Sequence, residues 1–300
     1  MECRSVLTRI DAVRTAELRA AEVHEVESHL ASCPSCKASA LDIEAFATLI
    51  RSCTAPPAKS LAGTIVQAVE DRFDSFDSFD TLGLRVWVAF SRSGIRMIDL
   101  RARTPDEFRR AYQERFGREL CGAPLSPRDR ETVEASLRGQ PAKRPSVDLS
   151  DLTEFEQKAL RTILAIPRGQ VRTYEWVARA VGRPKAVRAV GNVMATNPVP
   201  FLLPCHRVVP TSGGIGKYAF GPAMKRSLLA AEGTPVEELE ALSERGVRYV
   251  GSRTTEIFCF PTCRDARRIR SANRIEFHGS KEARGHGYRP CRRCTPVVAA

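Results

Sequence analysis

Between residues 158 and 230 the chain carries one acidic side chain, Glu175, against twelve basic ones. A solvated surface usually mixes signs, so a block this poor in carboxylates points to a polyanionic partner, with nucleic acid the default. Long apolar runs are also missing: nothing approaches the ~18 residues of a membrane span. The first residues, MECRSVLTRIDAVRT, lack the apolar centre of a secretion signal. A cytoplasmic protein without a membrane partner is therefore expected. In that compartment disulfides are rare, so the ten cysteines read as metal ligands or nucleophiles. Acid is not scarce everywhere. Residues 1–53 hold eight acidic and six basic side chains, although the whole chain is at +12.

Three hundred residues, 43% of them hydrophobic, are enough for two or three domains with real cores. Residues 1–53 have a helical pattern and end at the Pro-containing TAPPAK. A linker is expected over 54–81, where the low-complexity DRFDSFDSFD reads as an irregular approach to the next domain. From 82 to 148 a small α/β unit is expected. LGLRVWVAFSRSGIRMIDL alternates around Ser93-Gly94 like a hairpin, and Thr104-Pro105 and Ser126-Pro127 open helices. Cys121 in this unit reads as a packed thiol. TEFE at 153–156 is a capping box that opens the block 149–236. A short helix is expected at 174–180, a turn at Gly182, and a second helix in RPKAVRAVGNVM with Pro184 near its start: a helix-turn-helix.

The stretch NPVPFLLPCHRVVP, residues 197–210, sets Cys205 beside His206 among prolines. Adjacent Cys and His do not easily chelate one ion, so an activated thiolate is the better reading. With the helix-turn-helix, GQVRTY upstream and GGIGKY and LLAAEG downstream, the motif resembles the O6-alkylguanine-DNA alkyltransferases over roughly 150–235. The resemblance implies a ribonuclease-H-like α/β domain before a winged-helix-like active domain. It implies Cys205 as the nucleophile, His206 taking its proton through a water, Glu232 orienting the imidazole, and Asn197 bracing the turn. Arg188 would fill the space of a flipped-out nucleotide. Tyr174 would crowd the target phosphate and protonate the departing guanine, while Tyr218 walls the pocket. The carbonyls of Cys205 and Val208 would accept from the guanine amino group. Ala219 stands where the family commonly has serine, which bears on substrate range. The implied substrate is double-stranded DNA carrying O6-alkylguanine, with O4-alkylthymine a further candidate. Each molecule would act once, as a monomer and without an organic cofactor.

Farther on, Cys259-x3-Cys263, 27 residues and Cys291-x2-Cys294 have four-thiolate zinc spacing. RTTEIFC and GYRPCRRC around them resemble the metal-binding domain of Ada-type adaptive-response proteins, here expected over 247–297. The resemblance implies that zinc-bound Cys259 accepts a methyl group from DNA methylphosphotriesters and that Arg267 contacts DNA. The order of domains is reversed relative to Ada, so direct transcription activation of that kind is not expected.

In HLASCPSC, His29, Cys33 and Cys36 fall on successive helical turns, and Cys3 lies upstream with His24 as the alternative fourth ligand. This segment resembles the zinc-binding domain of anti-sigma factors, which implies a second zinc and a protein partner such as a sigma factor. The expected fold is thus α+β and multidomain, and the leading function is repair by alkyl transfer. A methylation-sensing regulator and a decayed zinc-dependent DNA-binding module are the competing readings.

Overall fold

The computed structural model describes residues 2–15, 17–52, 72–141 and 146–296. Most of the expected linker, residues 54–71, lies outside the described residues. The chain mixes helices and sheets and divides into two compact units, residues 1–127 with 146–148, and residues 128–145 with 149–300. No described helix is long and apolar enough to cross a membrane.

The first unit begins with three helices, α1 (Cys3–Arg14), α2 (Ala20–Ser32) and α3 (Pro34–Ser52), closed around Val6, Ile10, Val26 and Cys36. A four-stranded sheet follows in the order β3-β2-β1-β4. Its strands are β1 (Phe73–Thr81), β2 (Leu84–Ser91), β3 (Gly94–Asp99) and β4 (Glu119–Gly122). The β2–β3 hairpin falls where the alternation predicts it. DSFDSFD does not. It was expected to be irregular, yet it is an interior strand, antiparallel to β2 and parallel to β4. The physical reason is the mismatch of periods. Phenylalanines three apart fall on alternate faces of a strand, whose side chains repeat every two residues. Phe76 therefore points to one face and Phe79 to the other, and both are buried.

Helix α4 (Pro105–Phe116) starts as its sequence predicts, with Thr104 Oγ1 accepting from the Glu107 N–H and Pro105 in the first turn. It lays Phe108 and Tyr112 on Phe76, Trp87, Ala89, Met97 and Leu120. Each such aromatic ring contributes on the order of 2–3 kcal/mol by leaving water. Behind them lies a buried ionic cluster. Arg96 hydrogen-bonds Asp148, its Nε is 3.6 Å from Asp74, and the Tyr112 hydroxyl donates to Asp74. Burial pushes the Asp74 carboxyl up, while Tyr112 and Arg96 pull it down.

The second unit takes in residues from Arg128 onward, so most of helix α5 (Pro127–Leu137) leaves the α/β unit to which it was expected to belong. Just past it, Gly139 has φ +63° and lies against Ala231 and the Glu232 backbone, and Arg168 donates to its carbonyl. Next come α6 (Glu154–Thr162), β5 (Arg172–Thr173), α7 (Tyr174–Ala180), α8 (Val187–Ala195), β6 (Val208–Val209), α9 (Pro222–Ala231) and α10 (Val236–Glu244). A second four-stranded sheet, ordered β10-β8-β7-β9, uses β7 (Tyr249–Ser252), β8 (Ile257–Cys259), β9 (Arg274–Phe277) and β10 (Arg289–Pro290). Helix α11 (Ser280–Gly285) lies between the last two in sequence.

Replacing Arg96 with Met would leave Asp74 and Asp148 buried without their cation. Removing one member of a buried ionic group costs roughly 3–5 kcal/mol. Denaturant unfolding of R96M should show a loss of that order, and a loss below about 1 kcal/mol would count against the cluster's role.

Candidate active site and metal centre

Local sequence builds the reactive turn. Thr173 caps α7 by accepting from the Trp176 N–H, and Gly182 ends the first helix at φ +78°. The second helix starts at Val187, three residues after Pro184, because 183–186 form a turn closed by Ala186 N–H to Arg183 O. At the end of α8, Asn197 Nδ2 donates to Leu203 O at 2.9 Å and its Oδ1 accepts from Val199 N at 3.1 Å. One side chain thus fixes both ends of a loop that carries Pro198 and Pro200. Phe201 holds φ +72°, a left-handed conformation that costs a residue with a side chain, and its ring stacks on Phe220 at 5.5 Å. Cys205, His206 and Arg207 then make one 3-10 turn leading into β6, which pairs in parallel with β5.

Cys205 is 4% exposed and His206 1%. The His206 Nε2 lies 3.1 Å from Glu232 Oε1. Arg207 grips the same carboxylate with Nε at 2.8 Å and Nη2 at 2.7 Å, and its Nη1 donates to Ile166 O. Burial alone would raise the Glu232 carboxyl, but hydrogen bonds from His206 and Arg207 hold it at about 2. Burial lowers the His206 imidazole, so it is neutral at rest. With Nε2–H donating to the carboxylate, Nδ1 carries the lone pair, and this buried atom has no protein partner. Burial also raises the Cys205 thiol, opposed by the Asn197 and Tyr218 side chains and the Lys225 charge.

Around this turn the fold gathers most of the residues singled out from sequence. Tyr174 opens α7, half-buried, pushed up by burial and by Cys205. Tyr218 is pushed up in the same way, and Ala219 beside it is half-buried. Arg188 stands apart, exposed on α8. Two groups were missed in the sequence. Arg207 stood in plain view within PCHRV. Lys225 is fully buried, with Nζ 2.7 Å from Val208 O, and burial lowers it to about 8. Its signal was its place three and four residues before the apolar Leu228-Leu229, on the helix face that they bury. Val208 O already accepts from this lysine and has one lone pair left.

The second cluster lies in the β7–β10 sheet. Cys259, Cys263, Cys291 and Cys294 are all buried, with sulfurs within 4.8 Å of one another. Tetrahedral zinc with bonds of about 2.3 Å needs sulfurs about 3.8 Å apart, so the set fits zinc. Four thiols this close cannot all ionise without a cation: Cys263 and Cys294, by hydrogen bonding, push the Cys259 thiol up, and burial adds to this. A cavity of about 470 Å³ opens beside Cys259 and Cys291, lined by Thr254, Asp265, Arg268 and Arg270. Arg267, expected at DNA, is exposed and donates its Nη2 to Gly169 O, while its neighbour Arg268 lines the cavity.

A third cluster joins Cys3, His29, Cys33 and Cys36, again with donor atoms within 4.8 Å. His24, the alternative to Cys3, is not in this group. His29 Nε2 is buried without a hydrogen-bond partner, as an unengaged ligand nitrogen would be. Cys121, expected to be a packed thiol, is buried.

Residues 154–234 match the family model for the 6-O-methylguanine DNA methyltransferase DNA-binding domain, and residues 243–297 that for the metal-binding domain of Ada. Two successive segments are thus similar to an alkyltransferase DNA-binding domain and to an Ada-type metal-binding domain. Among curated relatives, the Homo sapiens methylated-DNA–protein-cysteine methyltransferase is 49% identical over 80 residues, 26% of this chain and 39% of that protein. The Mycobacterium bovis methylated-DNA–protein-cysteine methyltransferase is 41% identical over 80 residues, 27% of this chain and 48% of that protein. The chain thus spans less than half the length of these two relatives. A solved Mycobacterium tuberculosis O6-methylguanine methyltransferase is 27% identical, covering 53% of this chain and 92% of its own, at a TM-score of 0.44.

The sign of one pH effect follows from Glu232. Its value in the folded chain, about 2, lies below the ~4.3 of a free glutamate. Its carboxylate therefore adds stability above pH ~4.3, on the order of 3 kcal/mol, and that contribution is lost as pH falls toward 2. E232Q should be less stable at pH 7 and show a shallower fall in stability over this window. Equal slopes for the two proteins, measured by denaturant unfolding at each pH, would contradict the assignment.

Proposed function

We propose that this chain repairs alkylated DNA by irreversible transfer of the alkyl group from guanine O6 to Cys205, each molecule acting once. The observation that carries this reading is the His206–Glu232–Arg207 arrangement behind a buried thiol. A neutral thiol attacks carbon poorly, and burial makes this one harder to ionise, so its proton must leave as the bond forms. His206 Nδ1 takes it through a bridging water, and Glu232 stabilises the imidazolium. In this Glu232 parallels the third member of a hydrolase triad, and Arg207 keeps that carboxylate charged and oriented. Sulfur then attacks the alkyl carbon, the carbon–O6 bond breaks with its electrons going to the base, and Tyr174 supplies a proton to the leaving guanine. Asn197 and the prolines hold the turn rigid, so little reorganisation is needed at attack.

The target atom is inside the stack, so the nucleotide must be flipped out, and the exposed Arg188 on α8 is suited to fill the gap. Tyr218 walls the pocket, and the carbonyls of Cys205 and Val208 face the guanine amino group. Ala219 offers only its backbone N–H to O6, which bears on the range of alkyl groups. The finer fold labels, a ribonuclease-H-like domain over 82–148 and a winged-helix-like one over 149–236, belong to the same proposal, with the first extended back to take in Phe73–Thr81. Zinc in the C-terminal four-cysteine cluster would keep its sulfurs as thiolates, and Cys259, beside the cavity with Arg268 and Arg270, would accept methyl from a phosphotriester. The N-terminal helices hold a second zinc and serve a protein partner, for which the exposed Leu41, Phe46 and Leu49 on α3 are an apolar docking surface.

Incubation with duplex DNA containing O6-methylguanine should add one methyl group to the Cys205 peptide, seen by mass mapping. C205A should lose that transfer and retain DNA binding; undiminished transfer by C205A would overturn the reading. R188A should slow repair of duplex DNA by roughly tenfold or more, yet leave reaction with free O6-benzylguanine near normal. Equal losses on both substrates would instead mark Arg188 as structural.

Zinc content separates the two metal sites. Full-length protein should hold two zinc ions, and protein lacking residues 1–53 should hold one. The same content in both would remove the N-terminal site from the account.

A further inference from the structure

Arg172 is 3% exposed, and among the described residues no carboxylate pairs with it. Its guanidinium donates to Val171 O and to Gln170 Oε1, and it lies 5.3 Å from the Phe260 ring and 5.8 Å from the Trp176 ring. A buried cation without a counter-ion is costly. Among the described residues the candidate counter-charge is the C-terminal cysteine cluster: Phe260, against which the guanidinium lies, directly follows Cys259, and ionised sulfurs there would oppose the effect of burial. Four thiolates around a divalent zinc leave a net charge of about −2.

The surrounding contacts follow the same seam. Val171 N–H donates to Thr262 Oγ1 at 3.0 Å, Trp176 Nε1 donates to Thr295 Oγ1 at 3.0 Å, and Arg267 donates to Gly169 O. Trp176 also packs against the core formed by the cysteines with Tyr249, Phe258 and Phe277. Phe260, Thr262 and Thr295 are immediate chain neighbours of Cys259, Cys263 and Cys294. A change at the cluster therefore reaches the seam without any intervening residue. On the other side, β5 is hydrogen-bonded to β6, directly after Arg207, and Gly169 has so little room against the Glu232 and Gly233 carbonyls that an added Cβ would come within 3.0 Å of the first.

We propose that the metal-bound tetrathiolate is the counter-ion of Arg172 and so clamps the segment Gly169–Trp176, which braces the Cys205 turn and Glu232. The two acceptor cysteines are then coupled through one seam: loss of metal, or conversion of one thiolate to a thioether, weakens the clamp on the other site. This rests on zinc binding at the C-terminal four-cysteine cluster and, for its effect on repair, on the role proposed for Cys205.

The test uses full-length zinc-loaded protein carrying C33S, so that only the C-terminal site releases metal. R172M should lose zinc to a chelator roughly tenfold faster and show faster hydrogen exchange at Val171 and through 207–209, with R172K restoring much of both. Its reaction with free O6-benzylguanine should slow by about tenfold, since small displacements at an attacking group are costly. Unchanged zinc release and exchange in R172M would overturn the proposal. Both readouts are independent of alkyl transfer, so they decide it even for a protein that never reacts with an alkylguanine. Should R172M fail to fold, chelation of the parent protein takes its place. Faster exchange at Val171 and 207–209 after zinc loss supports the coupling, and unchanged exchange there refutes it.

Discussion

The turn carrying Cys205 depends on a carboxylate that must accept from a neutral imidazole and a guanidinium at once. Glu232 receives His206 at 3.1 Å and two nitrogens of Arg207 at 2.7 and 2.8 Å. If Arg207 were absent, the imidazole would be the only partner of a buried carboxylate, and a proton shared between them would cost His206 its use as a base. With Arg207 present, Glu232 stays ionised, Nε2–H stays on the imidazole, and the lone pair is confined to Nδ1. The arginine also ties the turn to Ile166, just after the 3-10 turn that follows α6. The Cys205 turn is thereby tied to two other stretches of chain, at Ile166 and Glu232.

The two cysteine sites solve one problem in opposite ways. At Cys205 burial keeps the thiol neutral at rest, and in the proposed reaction ionisation waits until the proton has somewhere to go. In the C-terminal cluster, zinc would keep the sulfurs deprotonated permanently, at the cost of damping their nucleophilicity. The first arrangement needs a base, a carboxylate and a rigid turn. The second needs only a metal and four residues, which suits a segment too small to build much core of its own.

The motif PCHRV, the helix-turn-helix and both cysteine clusters were legible because their chemistry is local: adjacent residues, or ligands at fixed helical and turn spacings. What was not legible depends on partners distant in sequence. Arg207 stands next to His206, but its target is 25 residues away. Lys225 is a surface residue by type, and only the position of Val208 O explains its burial. Arg267 also donates to Gly169 O, 98 residues earlier, a contact that its local sequence does not announce. Phe73–Thr81 failed for a different reason. A three-residue repeat covers both faces of a strand, so it never shows the in-out alternation by which half-buried strands are recognised.

That last point bears on how the first unit is assembled. With a buried phenylalanine on each face, β1 suits an interior position, and it is flanked by β2 and β4. An interior strand contributing Asp74 to a buried ionic cluster needs a cation delivered from elsewhere in the sheet, and Arg96 on β3 supplies it across the width of β2. The cluster therefore fixes which strands lie near one another as well as their register. Asp148 extends the constraint: it accepts from Arg96 and Ser91, and its N–H pairs with Ile95 O, so residues 146–148 are tied to the sheet although the chain on either side belongs to the second unit. A polar network that is expensive to bury is thus placed where misregistered strands would leave its charges unpaired, which makes the penalty for a wrong fold larger than the gain from a right one.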